Sequence, residues 1–129
     1  MTKIICDYKY RSTHEWVKRV SLNSDIYMVG ITDYAQNLIG DIVFIELPVV
    51  STVFNIGEDC AVAESVKTAS SIYAPLTGKI VEINMLLNKT PELVNIHPYD
   101  QGWIFKIKSF KSYEVELLLD AVDYQNLIK

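Results

Sequence analysis

Cysteine, histidine and runs of basic residues are all scarce in this chain, and each scarcity removes a class of function. The two cysteines, Cys6 and Cys60, stand far apart with no CxxC pair. They build no disulfide framework and read as a near-terminal thiol and a buried small hydrophobe. The two histidines, His14 and His97, are isolated, so the ligand spacing of a zinc site is missing. Twelve Lys and Arg are scattered among sixteen Asp and Glu, for a net charge of −4. That balance argues against nucleic-acid binding. No apolar run approaches the length of a membrane span. The N-terminal MTKIICDYKY has one apolar patch too short for a secretory signal core. Cytoplasmic residence is the default expectation, unless an organelle import peptide has been removed. No Ser/His/Asp constellation, phosphate-cradling glycine loop, paired-carboxylate site, linker or low-complexity segment is visible.

What is present is an ordinary globular composition, 50% hydrophobic and 22% charged. At 129 residues the chain is most simply one domain, 1–129, able to bury roughly two-thirds of its unfolded surface. HEWVKRV (14–20) and IYMVGIT (26–32) read as strands about the turn-rich SLNSD. Thr32 or Asp33 can cap a short helix over DYAQNL, stopped by Gly40. In DIVFIELP, Val43, Ile45 and Leu47 alternate with Ile42, Phe44 and Glu46, and Pro48 ends the strand. Residues 52–56 look extended before the turn at Gly57-Glu58-Asp59. KIVEIN (79–84) and WIFKIKSF (103–110) are further strands. Between them Thr90 and Pro91 start a helical turn, and NIHPYDQG is loop. From Ser112, which would cap, the period lengthens, and Leu117, Leu118, Val122, Leu127 and Ile128 suit one or two short helices. The sum is a compact, mostly β domain with short flanking helices and a C-terminal helix.

One segment, AVAESVKTASSIYAPLTG (61–78), interrupts an apolar, β-prone run with a lone lysine among small polar residues. The arms DCAVAESV and SSIYA would meet near Lys67, with Gly57 and Gly78 as turn glycines near the far ends. A hairpin folded there places Lys67 at or beside its tip, although no Asn-Gly or Asp-Gly specifies the turn. Such a lysine has three readings. It is a solubilising surface side chain, a Schiff-base lysine, or the acceptor of a covalently attached cofactor. The Schiff-base reading wants a desolvated pocket to depress the amine's pKa. Ser65, Thr68, Ser70 and Ser71 instead open the site to water.

The string ESVKTAS (64–70) resembles the lipoyl-attachment motif of the glycine cleavage system H protein family. THEWV (13–17), VGITDYAQNLIGDIVFIELP (29–48) and PELVNIHPYDQGWIFKIK (91–108) resemble the same family in the same order. The resemblance implies a hybrid-barrel, barrel-sandwich, lipoyl-domain-like fold. It also implies a carrier without turnover of its own, bearing lipoate in amide linkage on Lys67, with Glu64, Ser65, Val66 and Thr68 completing the attachment motif. The implied partners are a glycine decarboxylase (P protein), an aminomethyltransferase (T protein) and a dihydrolipoamide dehydrogenase (L protein). A lipoate ligase or lipoyltransferase would load the lysine. A tether of this kind raises the effective concentration of its reactive end at each partner.

In the family the loaded arm shelters beside the serine and glutamate of an S-H-E-W block and an aspartate shortly after the lysine. The corresponding residues here are Thr13, Glu15 and Ser71, so the aspartate is replaced and Glu15 is expected to do more. Ser51 stands where the family usually has glycine, and the 20–26 turn is slightly longer than usual. His14 and Trp16 read as structural packing. Glu64 is either ligase-recognised surface or a solvated charge. Biotin carriers, whose lysine is flanked by methionines, fit less well, because Val66 and Thr68 flank Lys67. Lipoyl domains of 2-oxo-acid dehydrogenases usually place aspartate where Val66 stands. Donation of the lipoyl group to other acceptors, or a binding module with a free lysine, are the remaining alternatives.

Overall fold

β-branched and aromatic residues dominate the segments that become strands, and the computed structural model, which describes residues 2–129, places them in two sheets. Of the N-terminal stretch only Met1 lies outside the described residues. The strands are β1 (Lys9–Tyr10), β2 (Glu15–Arg19), β3 (Ile26–Ile31), β4 (Ile42–Glu46), β5 (Val53–Phe54), β6 (Asp59–Ser65), β7 (Ala69–Tyr73), β8 (Gly78–Ile83) and β9 (Phe105–Ser109). One sheet runs β1-β2-β3-β9-β8-β5 and the other β4-β6-β7. The core draws on both sheets, with Val29, Ile31, Ile80 and Ile107 meeting Ile45, Ala63 and Ile72 in one buried cluster. At about 25 cal/mol per Å² of apolar surface, burying such side chains is the main stabilising term.

The expected helix is α1 (Asp33–Ile39). Thr32 Oγ1 accepts from Ala35 N, and Gly40, at φ 89°, closes the end by donating to Gln36 O. Elsewhere boundaries move for identifiable reasons. The alternation expected across DIVFIELP is broken by a register shift between Ile42 and Phe44. Ile42 and Ile45 are therefore both buried, and Val43 and Phe44 are both exposed. Gly78 is not a turn residue. It opens β8, and a Cβ there would lie 2.0 Å from Lys108 O, so it serves the close approach of β9. Gly57, by contrast, has φ 88° and does turn the chain. Ser51, at the usual glycine, adopts φ 78°, a left-handed conformation that costs an L-residue roughly 1–2 kcal/mol.

The helical turn starts later than Thr90 and Pro91 suggest, as α2 (Leu93–Ile96) with no side-chain cap. Single turns of 3₁₀ helix occupy Met85–Asn88, capped by Asn84, and Ser112–Leu117, in which Ser112 is the first residue and not the cap. Helix α3 (Ala121–Ile128) is capped by Asp120, whose side chain accepts from Asp123 N. It docks through Tyr124, which stacks on Tyr10 with centroids 4.6 Å apart. Trp16 belongs to the same aromatic cluster and donates its indole N–H to Pro98 O at 2.8 Å. Among the described residues no helix is long and apolar enough to cross a membrane.

Candidate functional site

Strands β6 and β7 are adjacent antiparallel partners, paired from Asp59↔Tyr73 to Glu64↔Ala69. Ser65 N then donates to Thr68 O at 2.8 Å, which leaves Val66 and Lys67 as a two-residue tip. Neither residue has positive φ, so this is not one of the primed turns that usually close such hairpins. The Ser65 hydroxyl oxygen substitutes for the missing turn chemistry, accepting from Lys67 N at 3.3 Å and Thr68 N at 3.2 Å. Val66, Lys67, Thr68 and Ala69 are exposed. The Lys67 amine takes part in no hydrogen bond or ion pair among the described residues. It is an accessible amine at the tip of a two-stranded hairpin, without the enclosure a Schiff-base amine needs.

A cleft opens beside the tip, lined by Ser65, Val66 and Lys67 on one side and by Asn37 to Asp41 at the end of α1 on the other. Leu38 and Ile39 are also walls of a second, smaller recess of about 90 Å³. That recess holds Thr13, Glu15 and Ser71 together with Ser70, between the apolar side chains of Ile31, Ala35 and Ile72. The two hollows thus share a wall and run along α1 from the lysine to the carboxylate. Ser71 is four residues from Lys67, on the order of 13 Å along an extended strand.

The carboxylate end is built from distant segments. Arg11 N donates to Glu15 O and His14 N to Arg11 O, which closes a tight turn between β1 and β2. His14 takes the left-handed position of that turn at φ 78°. Its ring is fixed by Tyr124, whose hydroxyl lies 2.8 Å from Nδ1 and 2.7 Å from Thr32 Oγ1. The turn aims Glu15 inward until only 1% of the residue is exposed. Glu15 Oε1 accepts from the Thr13 hydroxyl at 2.5 Å, and Oε2 accepts from Tyr73 N at 3.0 Å. Strand β7 is an edge strand, so the side chain of Glu15 occupies a backbone donor that sheet pairing leaves open. Burial pushes the Glu15 carboxyl up to about 7, against the opposing pull of the Thr13 and Tyr73 hydrogen bonds and the Arg11 charge.

Thr13, Glu15 and Ser71 therefore meet in one recess, and Lys67 stands at the mouth of the adjoining cleft. Glu64 and Thr68 flank the tip without lining either hollow. Sequence reasoning did not single out Leu38, Ile39 or Arg11. The one available signal was Leu38, an apolar residue on the outer face of a short helix, where it is 65% exposed.

The chain resembles known proteins over nearly its whole length. The family model described as glycine cleavage H-protein matches residues 8–129. The chain is 52% identical over 129 residues to a glycine cleavage system H protein of Cronobacter sakazakii, covering 100% of this chain and 98% of the relative. It is 51% identical over 128 residues to the protein of that name from Photorhabdus laumondii, covering 99% and 97%. The crystal structure of a glycine cleavage system H protein from Mycobacterium marinum superposes with a TM-score of 0.85 at 35% identity, covering 95% of this chain and 97% of the other. The two-sheet barrel-sandwich is accordingly the lipoyl-domain-like fold. With sequence, architecture and a presented lysine in agreement, the chain belongs to the glycine cleavage H-protein family.

Proposed function

We propose that residues 1–129 act as one lipoyl-carrier domain and that Lys67 bears the lipoyl group in amide linkage. The observation carrying this reading is the exposed, unpaired lysine at a two-residue tip, beside a cleft that shares Leu38 and Ile39 with the recess of a buried carboxylate. When bound, the lipoyl group would supply a cyclic disulfide, which opens so that one sulfur carries the aminomethyl group while the other is reduced to a thiol. The protein's own residues present, guide and shelter that arm. Ser65 holds the tip, Leu38 and Ile39 offer an apolar wall along its path, and Glu15 with Thr13 and Ser71 receives the cationic end. Excluding water from the loaded end slows its hydrolysis.

In this reading the chain catalyses nothing itself. It shuttles the aminomethyl group from a glycine decarboxylase (P protein) to an aminomethyltransferase (T protein), and a dihydrolipoamide dehydrogenase (L protein) reoxidises the arm. A lipoate ligase or lipoyltransferase loads Lys67 in the cytoplasm, reading Glu64, Val66 and Thr68 around it. Incubation with lipoate, ATP and a lipoate ligase should raise the intact mass by one lipoyl group, and Lys67→Ala should abolish the gain. No gain in the native chain, with the ligase active on another acceptor, would overturn the proposal.

A further inference from the structure

The residues that hold Glu15 are themselves held by a side chain that does not reach it. Arg11 Nη1 donates to Thr13 Oγ1 at 2.6 Å. Because that oxygen accepts from the guanidinium, its own proton is directed to Glu15 Oε1. The same guanidinium lies over the ring of Tyr73, 5.8 Å from the centroid. Tyr73 supplies the second donor to Glu15 through its backbone N–H. Arg11 therefore contacts both residues that fix the carboxylate, Thr13 by a hydrogen bond and the ring of Tyr73 by a cation–π contact.

We propose that Arg11 is a positioning residue of the sheltering recess: by fixing Thr13 and Tyr73 it keeps the Glu15 carboxylate aimed as the counter-ion for the aminomethyl end of the arm. The inference rests on the carrier reading above and deepens it. Its electrostatic basis follows from what else faces Glu15. Cys60 on β6 and Tyr124 on α3 both interact with it, and burial pushes the thiol and the phenol up. Burial lowers the His14 imidazole beside it. All three are uncharged near neutral pH, and Asp59, which faces Cys60, adds only negative charge. Among these neighbours Arg11 is the one positive charge favouring ionised Glu15. The recess itself offers no second carboxylate, since Ser71 contributes only a hydroxyl. The ionisation of Glu15 thus decides whether a cation is held there, and Arg11 biases that ionisation both by its own charge and by fixing its two neighbours.

The test is the carboxyl titration of Glu15, followed by NMR in the unmodified protein, for the native chain and for Arg11→Gln, Arg11→Ala and Arg11→Lys. Arg11→Gln keeps a donor and removes the charge, and unchanged amide signals in the core establish that each variant is folded. Removing the charge should move the Glu15 midpoint upward by roughly one pH unit, and Arg11→Lys should restore most of it. An unmoved midpoint in folded Arg11→Gln and Arg11→Ala would overturn the inference. With lipoylated, aminomethyl-loaded protein, the pH profile for loss of the aminomethyl group should shift in parallel. A moved midpoint with an unmoved loss profile would support Arg11's hold on Glu15 and overturn the sheltering role of the recess.

Discussion

The lysine tip and the carboxylate recess are made in opposite ways. The lysine end is contiguous. Residues 65–68 make their own turn, stabilise it with the Ser65 hydroxyl and project into solvent. The carboxylate end is assembled from the β1–β2 turn, α1 and β7, and is braced from the far end of the chain by Tyr124. One end needs little beyond a hairpin, whereas the other needs the whole fold. Under the proposed function the difference suits a carrier: the acceptor must be approached by other proteins, while the loaded end must be kept from water. It also predicts that perturbations of the core will disturb the recess and spare the tip.

The largest effect expected is electrostatic and confined to the buried end. Glu15 has a folded pKa of about 7, above its ordinary 4.5, so folding favours its protonated form. Its contribution to stability is fully present below about pH 4.5 and is lost as pH rises through about 7. The loss is on the order of 3 kcal/mol. Urea denaturation at about pH 5 and about pH 8 should show this decline in the native protein and a flatter profile in Glu15→Gln. Equal slopes would mean that Glu15 is not the buried titrating group.

What the sequence made legible follows the same division. Lys67 and its tip could be placed because a hairpin is a local object, with polar punctuation between two β-prone arms. The helix over 33–39 was equally readable, since Thr32 and Gly40 mark its ends. That THEWV, ESVKTAS and the α1 segment form one groove was not readable from periodicity. The contact depends on a left-handed His14 and on tertiary pairing across the sheets. Resemblance to the family supplied Thr13, Glu15 and Ser71 but not Arg11, which acts at one remove. The two-residue strands β1 and β5 were missed or overextended because pairing partners define them. The bulge in β4 was missed because its composition reads as unbroken alternation.

A smaller effect is expected from Tyr124→Phe. Removing the hydroxyl leaves His14 Nδ1 without its partner and Thr32 Oγ1 with only the Ala35 N–H, at a cost of about 1–2 kcal/mol. Amide shifts should change at Thr13 and Glu15 and remain in place at Val66 and Lys67. Equal disturbance at both ends would remove the distinction drawn between them. The smallest effect belongs to Ser65→Ala, expected to cost less than about 1 kcal/mol because the tip is solvated. Hydrogen exchange at the Lys67 and Thr68 amides should quicken, with exchange in the core unchanged.

Under the proposed function the loaded arm lies from the lysine along Leu38 and Ile39 and is sheltered at the Glu15 carboxylate. The most direct test follows loss of the aminomethyl group from loaded, lipoylated protein near neutral pH, comparing the native chain with Glu15→Gln. Severalfold faster loss is expected in Glu15→Gln, with lipoylation of Lys67 unaffected. Equal rates in the two proteins would contradict it.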